Sequence, residues 1–412
     1  MFLKKIRTLL CVVIAFTTLS VQAQNFDHDF FGMHVHRSVA NSLWKEVGFA
    51  GIRLHDSNVT WSDLEPLRGV WHWDKLDGIV ENATAHHNEI LLPLNGTPTW
   101  ASSSPFNSDA YGLGSASPPV LMSDWNDYVI QVVSRYKGKV KAYEIWNEPN
   151  LKQFYTGTPG ELFEITRNSY INIKKNDPDA IVVCSAITGS YGLVWFKKYL
   201  DTGVGRYCDV MGYHFYTSHK SPEAMLPIIS AVKSAMRERG LENKPLWNTE
   251  TGWLIENGSK VDAKAAGFGP DAKVLTAYEA GSYVPRALLI ARSAGVDRFY
   301  WYSWDHKSMG LSSGMGIGWS RAARVYSTFT KLVSGSRISN CSNAGQIWTC
   351  HLILTTGKKM MVYWSDNANI SVKSPFDGSL FVFSDFGNLV DKGIINSGDV
   401  VEVTGDPVYI KE

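Results

Sequence analysis

Short apolar runs of β character alternate with longer helical stretches eight times between about residues 30 and 330, and few folds can absorb that pattern. The β-like runs are Phe30–His36, Gly51–His55, Ile90–Asn95, Ala142–Glu148, Ile181–Ser185, Val210–Tyr216, Leu246–Glu250 and Arg298–Ser303. Helical periodicity fills the gaps, as in Trp125–Tyr136, Leu162–Lys175, Pro222–Arg239 and Asp271–Ala294. Strand-then-helix repeated eight times over about 300 residues predicts an α/β chain closed into a (β/α)8 TIM barrel. A doubly wound open sheet is the rival, but no glycine-rich dinucleotide loop follows the first run to support it.

After about residue 334 the helical periodicity stops. Short alternating runs follow at Ile347–Leu354, Lys359–Trp364, Leu380–Phe383, Asp399–Val403 and Val408–Lys411, separated by Gly-containing turns such as Thr356-Gly357 and Asp377-Gly378. The expected division is a signal peptide at 1–23, a catalytic barrel at 24–333 and a small all-β sandwich at 334–412. The sandwich is expected to act as a packing support.

Lys4, Lys5 and Arg7 precede an apolar stretch from Leu9 to Leu19, and Val21-Gln22-Ala23 has the small residues of a cleavage site. The stretch is too short to span a bilayer, which takes ~20 apolar residues. The mature protein is therefore expected to be exported, periplasmic or secreted, with no stable membrane insertion. In an oxidising compartment Cys341 and Cys350, which flank a hairpin, are expected to pair. Cys184 and Cys208 lie at two different strands, where buried thiols are as good a reading as a bridge. A net charge of +1 argues against a nucleic-acid partner or a polybasic membrane patch.

Two of the β-like runs end in glutamate: Tyr143-Glu-Ile-Trp-Asn-Glu148-Pro149 and Leu246-Trp-Asn-Thr-Glu250. In a barrel both ends face the catalytic mouth. Two carboxyls there suit glycosidic bond cleavage, in which one protonates the leaving oxygen and the other attacks the anomeric carbon. Asn147 is placed to hydrogen-bond a sugar hydroxyl, so Glu148 is assigned as acid/base and Glu250 as nucleophile. Arg53 is a partner for Glu144 or Glu250 and would keep the nucleophile ionised. His214 and Tyr216 share one strand face, with Tyr216 placed to hydrogen-bond the nucleophile and His214 to contact it or the sugar. Trp100, Trp253, Trp301 and Trp304 are the candidate floor of the sugar site. Ser102–Pro119, rich in Ser, Gly and Pro, is expected to wall the cleft.

His34-Val-His36 raises a different class. Metal-dependent amidohydrolase barrels carry such a pair on the first strand, and His214 and Asp305 would extend it. The fifth run, Cys184-Ser-Ala-Ile-Thr188, offers no histidine, so a metal set would be short of a ligand. His34 and His36 are better read as sugar contacts or core residues, with no metal and no other cofactor.

Trp146-Asn147-Glu148-Pro149, His214-Phe-Tyr216, Glu250 and Trp304 together resemble the pattern of clan A retaining glycoside hydrolases. Within that clan the layout is similar to glycoside hydrolase family 39 and to the Psl-type, exopolysaccharide-associated endoglycosidases of bacterial matrix operons. The resemblance implies a retaining β-glycoside hydrolase, endo-acting on a bacterial exopolysaccharide, monomeric, with a polysaccharide or oligosaccharide as partner. An exo-acting, xylosidase-like enzyme, a transglycosidase and a non-catalytic polysaccharide-binding barrel are the alternatives.

Overall fold

The computed structural model describes residues 23–36, 47–217, 219–258, 260–269, 271–312, 319–366 and 370–412. The signal-peptide segment therefore lies outside the described residues, apart from Ala23. Eight strand positions form the barrel: β1 Phe31–His34, β2 Gly51–Arg53, β3 Glu89–Leu94, β4 Ala142–Ile145, β5 Ile181–Val183 with a second piece at Ile187–Thr188, β6 Met211–His214, β7 Leu246–Thr251 and β8 Arg298–Trp301. All pairings between them are parallel, and β8 returns to β1 through Tyr300 opposite Gly32. A bridge between Val183 and Val210 joins β5 to β6 and closes the ring.

Side chains that alternate along each strand explain the interior. Leu91, Ala142, Val183, Val210, Trp247 and Tyr300 form one apolar cluster inside the barrel. Gly32 is required here, because a Cβ on it would sit 2.4 Å from the Tyr300 ring. Two residues further along the strands the inward positions turn polar: His34, Arg53, Glu144, Thr249 and Tyr302. The same two-residue step thus builds an apolar plug below and a hydrogen-bonded layer above it, at the C-terminal ends where the mouth lies.

Helices pack outside. Thr158 caps Pro159–Asn176 and Thr276 caps Ala277–Ser293, each reciprocated by the glutamate three residues on. The last of these helices begins later than the pattern from Asp271 suggested. Val274–Thr276 instead pairs with Leu254–Glu256 in a short parallel ribbon.

The C-terminal region is β throughout: β9 Arg337–Ala344, β10 Ile347–Ile353, β11 Lys359–Ser365, β12 Ile370–Lys373, β13 Gly378–Phe383, β14 Leu389–Ile395, β15 Val400–Val403 and β16 Val408–Lys411. Its main sheet runs β9-β10-β11-β16-β13-β14, and β12 pairs with β15 alone. Met361, Tyr363, Ile395, Val401, Val403, Val408 and Ile410 fill the space between the two layers. Gln24–Asn25 adds to this sheet beside β9, so residues 24–25 belong with it and not with the barrel. Strands β9, β12 and β14 were not anticipated, because their outward positions carry Asn, Ser, Asp and Lys and their alternation is weak.

Cys341 and Cys350 lie directly opposite on β9 and β10 and form a disulfide. Cys184 and Cys208 also form one, with Cα atoms 5.4 Å apart, which decides between the two readings open in the sequence in favour of the bridge. The cause is barrel closure: β5 and β6 meet where these residues lie, and Cys184 N donates to Val210 O at 2.9 Å.

Candidate active site

Neither carboxyl is aimed by regular strand geometry. β4 ends at Ile145, three residues before Glu148, and both Trp146 (φ 68°) and Glu148 (φ 43°) are left-handed. Such backbone costs a residue with a Cβ roughly 1–2 kcal/mol. Here the contortion turns the Glu148 side chain into the mouth. On β7, Thr249 points inward by alternation, so Glu250 would be expected to point outward. The register between β7 and β8 slips between Asn248 and Thr251, and this bulge re-aims Glu250. One carboxylate oxygen from each glutamate and a ring nitrogen of His214 then lie within 4.8 Å of one another. A retaining pair stands ~5–5.5 Å apart and an inverting pair ~6.5–9.5 Å.

Arg53, fully buried, organises the layer beneath. Its Nε donates to Glu144 Oε2 at 2.6 Å, its Nη1 to Glu250 Oε2 at 2.7 Å and its Nη2 to Asn147 Oδ1 at 2.8 Å. Both expected partners are therefore held at once by one guanidinium fork. Tyr216 Oη donates to the other oxygen of Glu250 at 2.8 Å. Burial lifts the Glu250 carboxyl above its usual value, with Glu148 and Asp56 pushing the same way and the Arg53 guanidinium pulling it back. Both of its hydrogen-bond donors favour the anion.

Glu148 has no such donor set. Burial lifts its carboxyl to about 7, against weaker pulls from Thr188 and Arg53. The hydrogen bonds fix where its proton sits. Thr249 Oγ1 donates to Glu144 Oε1 at 2.6 Å, so its single proton is spent. Toward His214 Nε2, at 3.0 Å, it must accept. Burial, with Arg53 adding to it, lowers His214 to about 4, against the opposing charges of Glu250 and Glu144, so the ring is neutral and its proton is on Nε2. His214 Nδ1 is then an acceptor 2.8 Å from Glu148 Oε1, a hydrogen bond only when Glu148 carries the proton. His214 therefore hydrogen-bonds Glu148 and not Glu250.

The cavity above these groups is about 810 Å³, and its lining includes Asp56, Tyr111, Asn147, Glu148, Tyr191, Tyr216, Glu250, Phe268 and Tyr302. Tyr111 is the contribution of the 102–119 loop. None of the four tryptophans lines it. Trp301 alternates outward from Tyr300 and Tyr302 and packs on Trp253 at 5.4 Å. Trp253 is held by Nε1 to Lys220 O at 3.1 Å, and Trp304 is buried beside Trp319. Trp100 lies under the Arg68 guanidinium, 4.4 Å away, in a separate surface pocket with Glu65 and Asp124. The floor residue sequence reasoning missed is Tyr302, which the same alternation could have found.

His34 is fully buried, with Nε2 3.0 Å from Thr249 O, and supports the layer from below. Burial and Arg53 hold it well below its usual value, so it is neutral. His36 is half-buried beside Asp305 and Asp56, whose hydrogen bonds raise it to about 9 against the burial that lowers it. His34, His36, His214 and Asp305 thus do not converge as a metal set. Glu148, His214 and Glu250 do offer three ligand atoms close together, but Arg53 already supplies the positive charge there. Asp56, Tyr111, Thr249 and Thr188 were the other omissions. Each is on a loop or inner face reachable only once the barrel is built.

The sequence pattern of glycosyl hydrolase family 10 matches residues 49–173, a span that holds Arg53 and Glu148 but not Glu250. A β-xylosidase of Geobacillus stearothermophilus is 24% identical over 310 residues, covering 66% of this chain and 58% of that protein. The chain thus spans less than two thirds of this relative's length. Among solved structures, a family 39 glycoside hydrolase from Bacteroides cellulosilyticus WH2 superimposes with a TM-score of 0.73 at 17% identity, over 94% of this chain and 81% of that one. A monomeric β-xylosidase from Caulobacter crescentus CB15 gives 0.66 at 16% identity, over 94% of this chain and 97% of that one. At these identities the likeness is one of fold. The chain has the barrel-plus-β architecture of family 39 structures, as the resemblance in its sequence implied.

Proposed function

We propose that this chain is a retaining β-glycoside hydrolase. The observation that carries the reading is the pair of convergent carboxyls in opposite electrostatic settings: Glu250 fixed by Arg53 and Tyr216, and Glu148 pushed to about 7 and protonated through His214. Glu250 attacks the anomeric carbon while Glu148 gives its proton to the leaving oxygen. Water, deprotonated by Glu148, then releases the sugar from Glu250. Asn147, held by Arg53, is positioned for a hydroxyl beside the reacting carbon. No step draws on a metal or an organic cofactor.

The substrate we favour is a bacterial exopolysaccharide cut internally, by a monomeric exported enzyme. The support is a cavity that continues past Glu148 along Thr188, Ser190 and Tyr191, giving the leaving side of the chain room to run on. Two disulfides suit an oxidising compartment. Exo-acting β-xylosidase activity is the second reading, favoured by the relatives that bear that name.

The test is reducing-end release from a panel of bacterial exopolysaccharides, xylan and aryl β-xylosides, with Glu148→Gln and Glu250→Gln beside the wild type. Cleavage by wild type alone supports the hydrolase. Oligomeric products favour the endo reading, and xylose alone favours the exo reading. Binding of a polymer without cleavage, unchanged in both variants, would overturn the assignment in favour of a binding protein.

A further inference from the structure

The chain spends unusual effort on Asp56. It follows β2 by three residues, in left-handed backbone at φ 58°. Tyr111 Oη donates to Oδ1 and Tyr302 Oη to Oδ2, both at 2.7 Å. His36 Nε2 lies 3.8 Å from Oδ2, and His55 Nε2 lies 3.6 Å from Oδ1. His55 also reaches Tyr111 Oη at 2.6 Å. Four side chains, three of them from segments other than its own, therefore surround one carboxylate whose side chain keeps 28% of its surface exposed, within the lining of the catalytic cavity. The mechanism above does not use it.

The side of the cavity it occupies can be assigned. Glu148 protonates the leaving group, and its neighbours Thr188 and Tyr191 mark the leaving side. The sugar that becomes bonded to Glu250 must lie the other way, toward Arg53, Tyr302 and Asp56. A carboxylate has about four acceptor positions, and the two phenols fill two. His36 Nε2 stands beside a third, and the exposed part of the carboxylate faces the cavity. Behind Asp56 the cations are sequestered: Arg53 is fully buried and spent on three acceptors, and His36 is not among the cavity-lining residues. Lys220, from the loop after β6, is the one lysine or arginine among the described lining residues.

We propose that Asp56 is a specificity-determining residue for the sugar on the Glu250 side: it accepts hydrogen bonds from hydroxyls of an uncharged sugar and turns away uronic acids. This rests on the glycosidase reading. A hydroxyl donor gains a charged acceptor already fixed in place, while a uronate brings a like charge to a wall whose nearest cation, His36, lies behind Asp56 and outside the cavity lining. The pKa of Asp56 fits the role, since its hydrogen bonds and His55 hold it well below the usual carboxylate range in spite of burial.

The experiment compares p-nitrophenyl β-xyloside, β-glucoside and β-glucuronide on wild type and Asp56→Asn. Asparagine tolerates left-handed backbone and keeps the shape, and an unchanged melting temperature confirms a folded variant. Wild type is expected to prefer the better neutral glycoside over the glucuronide by ~100-fold in kcat/KM, and the variant to lose most of that ratio, chiefly by losing ~10–100-fold on the neutral sugar. Calorimetric binding of the same glycosides to Glu250→Gln, and to its double variant with Asp56→Asn, reads the ratio without turnover. Binding preference with no hydrolysis by wild type of any glycoside or polymer would count against the glycosidase reading and leave the Asp56 assignment standing. A glucuronide bound or cut as well as the neutral sugars, or a ratio unmoved by the substitution, overturns the proposal.

Discussion

Glu148 and Glu250 are both buried, both pushed upward by that burial, and near enough to share one substrate, yet their surroundings are opposites. Glu250 meets a guanidinium and a phenol, two donors that reward negative charge. Glu148 meets a neutral imidazole that rewards a proton. The difference is made one layer down. Arg53 on β2 and Thr249 on β7 both bond Glu144 on β4, and through these contacts the interior decides which carboxyl is ionised. In the proposed mechanism a buried ion pair in the barrel thus supports the split between acid and nucleophile.

Breaking the Glu250 side should have the largest effect. Glu250→Gln removes the attacking group, and hydrolysis of any substrate should fall by at least ~10⁴-fold. Hydrolysis above that level would transfer the nucleophile to another residue. Glu148→Gln should cost ~10²–10⁴-fold on sugar leaving groups and much less on p-nitrophenol, which leaves without help. Wild-type activity needs Glu148 protonated, so it should fall as pH rises through about 7, and the variant should lack that limb. A wild-type rate independent of pH between 6 and 9 would refute the assignment of Glu148 as the acid.

The same shift carries a stability consequence of definite sign. The native state holds the Glu148 proton up to about 7, while the unfolded chain releases it near 4.5. Between these values the native state binds more protons, so stability falls as pH rises. Glu148→Gln keeps a donor toward His214 Nδ1 without the buried charge. The variant should be ~3 kcal/mol more stable than wild type above pH 7, and the gap should close below pH 4.5. Chemical denaturation at pH 8 and pH 4 measures it.

How much of this contrast could be read from the sequence depends on geometry. Eight strand–helix alternations and two strand-end glutamates were legible, because period and turn chemistry are local. The bulge that turns Glu250 inward and the left-handed residues that aim Glu148 were not, since both arise from register between strands far apart in sequence. The four tryptophans are candidates for the sugar floor by residue type and by their place near strand ends, which does not say which way each side chain points. Alternation along β8 makes Trp301 core and places Tyr302 in the cavity. Whether Cys184 and Cys208 pair stays open in the sequence, because only closure of the barrel brings β5 beside β6.

Tyr216→Phe sharpens the comparison from the Glu250 side. It deletes one donor to the nucleophile and leaves Arg53 in place, so kcat/KM should drop ~10–100-fold, the worth of one hydrogen bond to a charged group. The alkaline limb, which belongs to Glu148, should stay near its wild-type position. Movement of that limb instead of the rate would show that Tyr216 governs the acid.

Thr249→Val is the mildest change and the most pointed. Valine matches threonine in shape but offers His214 Nε2 no acceptor. The imidazole tautomer with its proton on Nδ1 then competes, and that tautomer donates to Glu148 and favours the carboxylate. The Glu148 pKa should fall by ~1 unit, the worth of one hydrogen bond, so the alkaline limb of the rate should move to lower pH. The rate below the limb should change only a few-fold, because neither carboxyl has been touched. A variant with an unshifted limb and a uniformly lower rate would make Thr249 a packing residue and locate the control of the acid elsewhere, in burial alone.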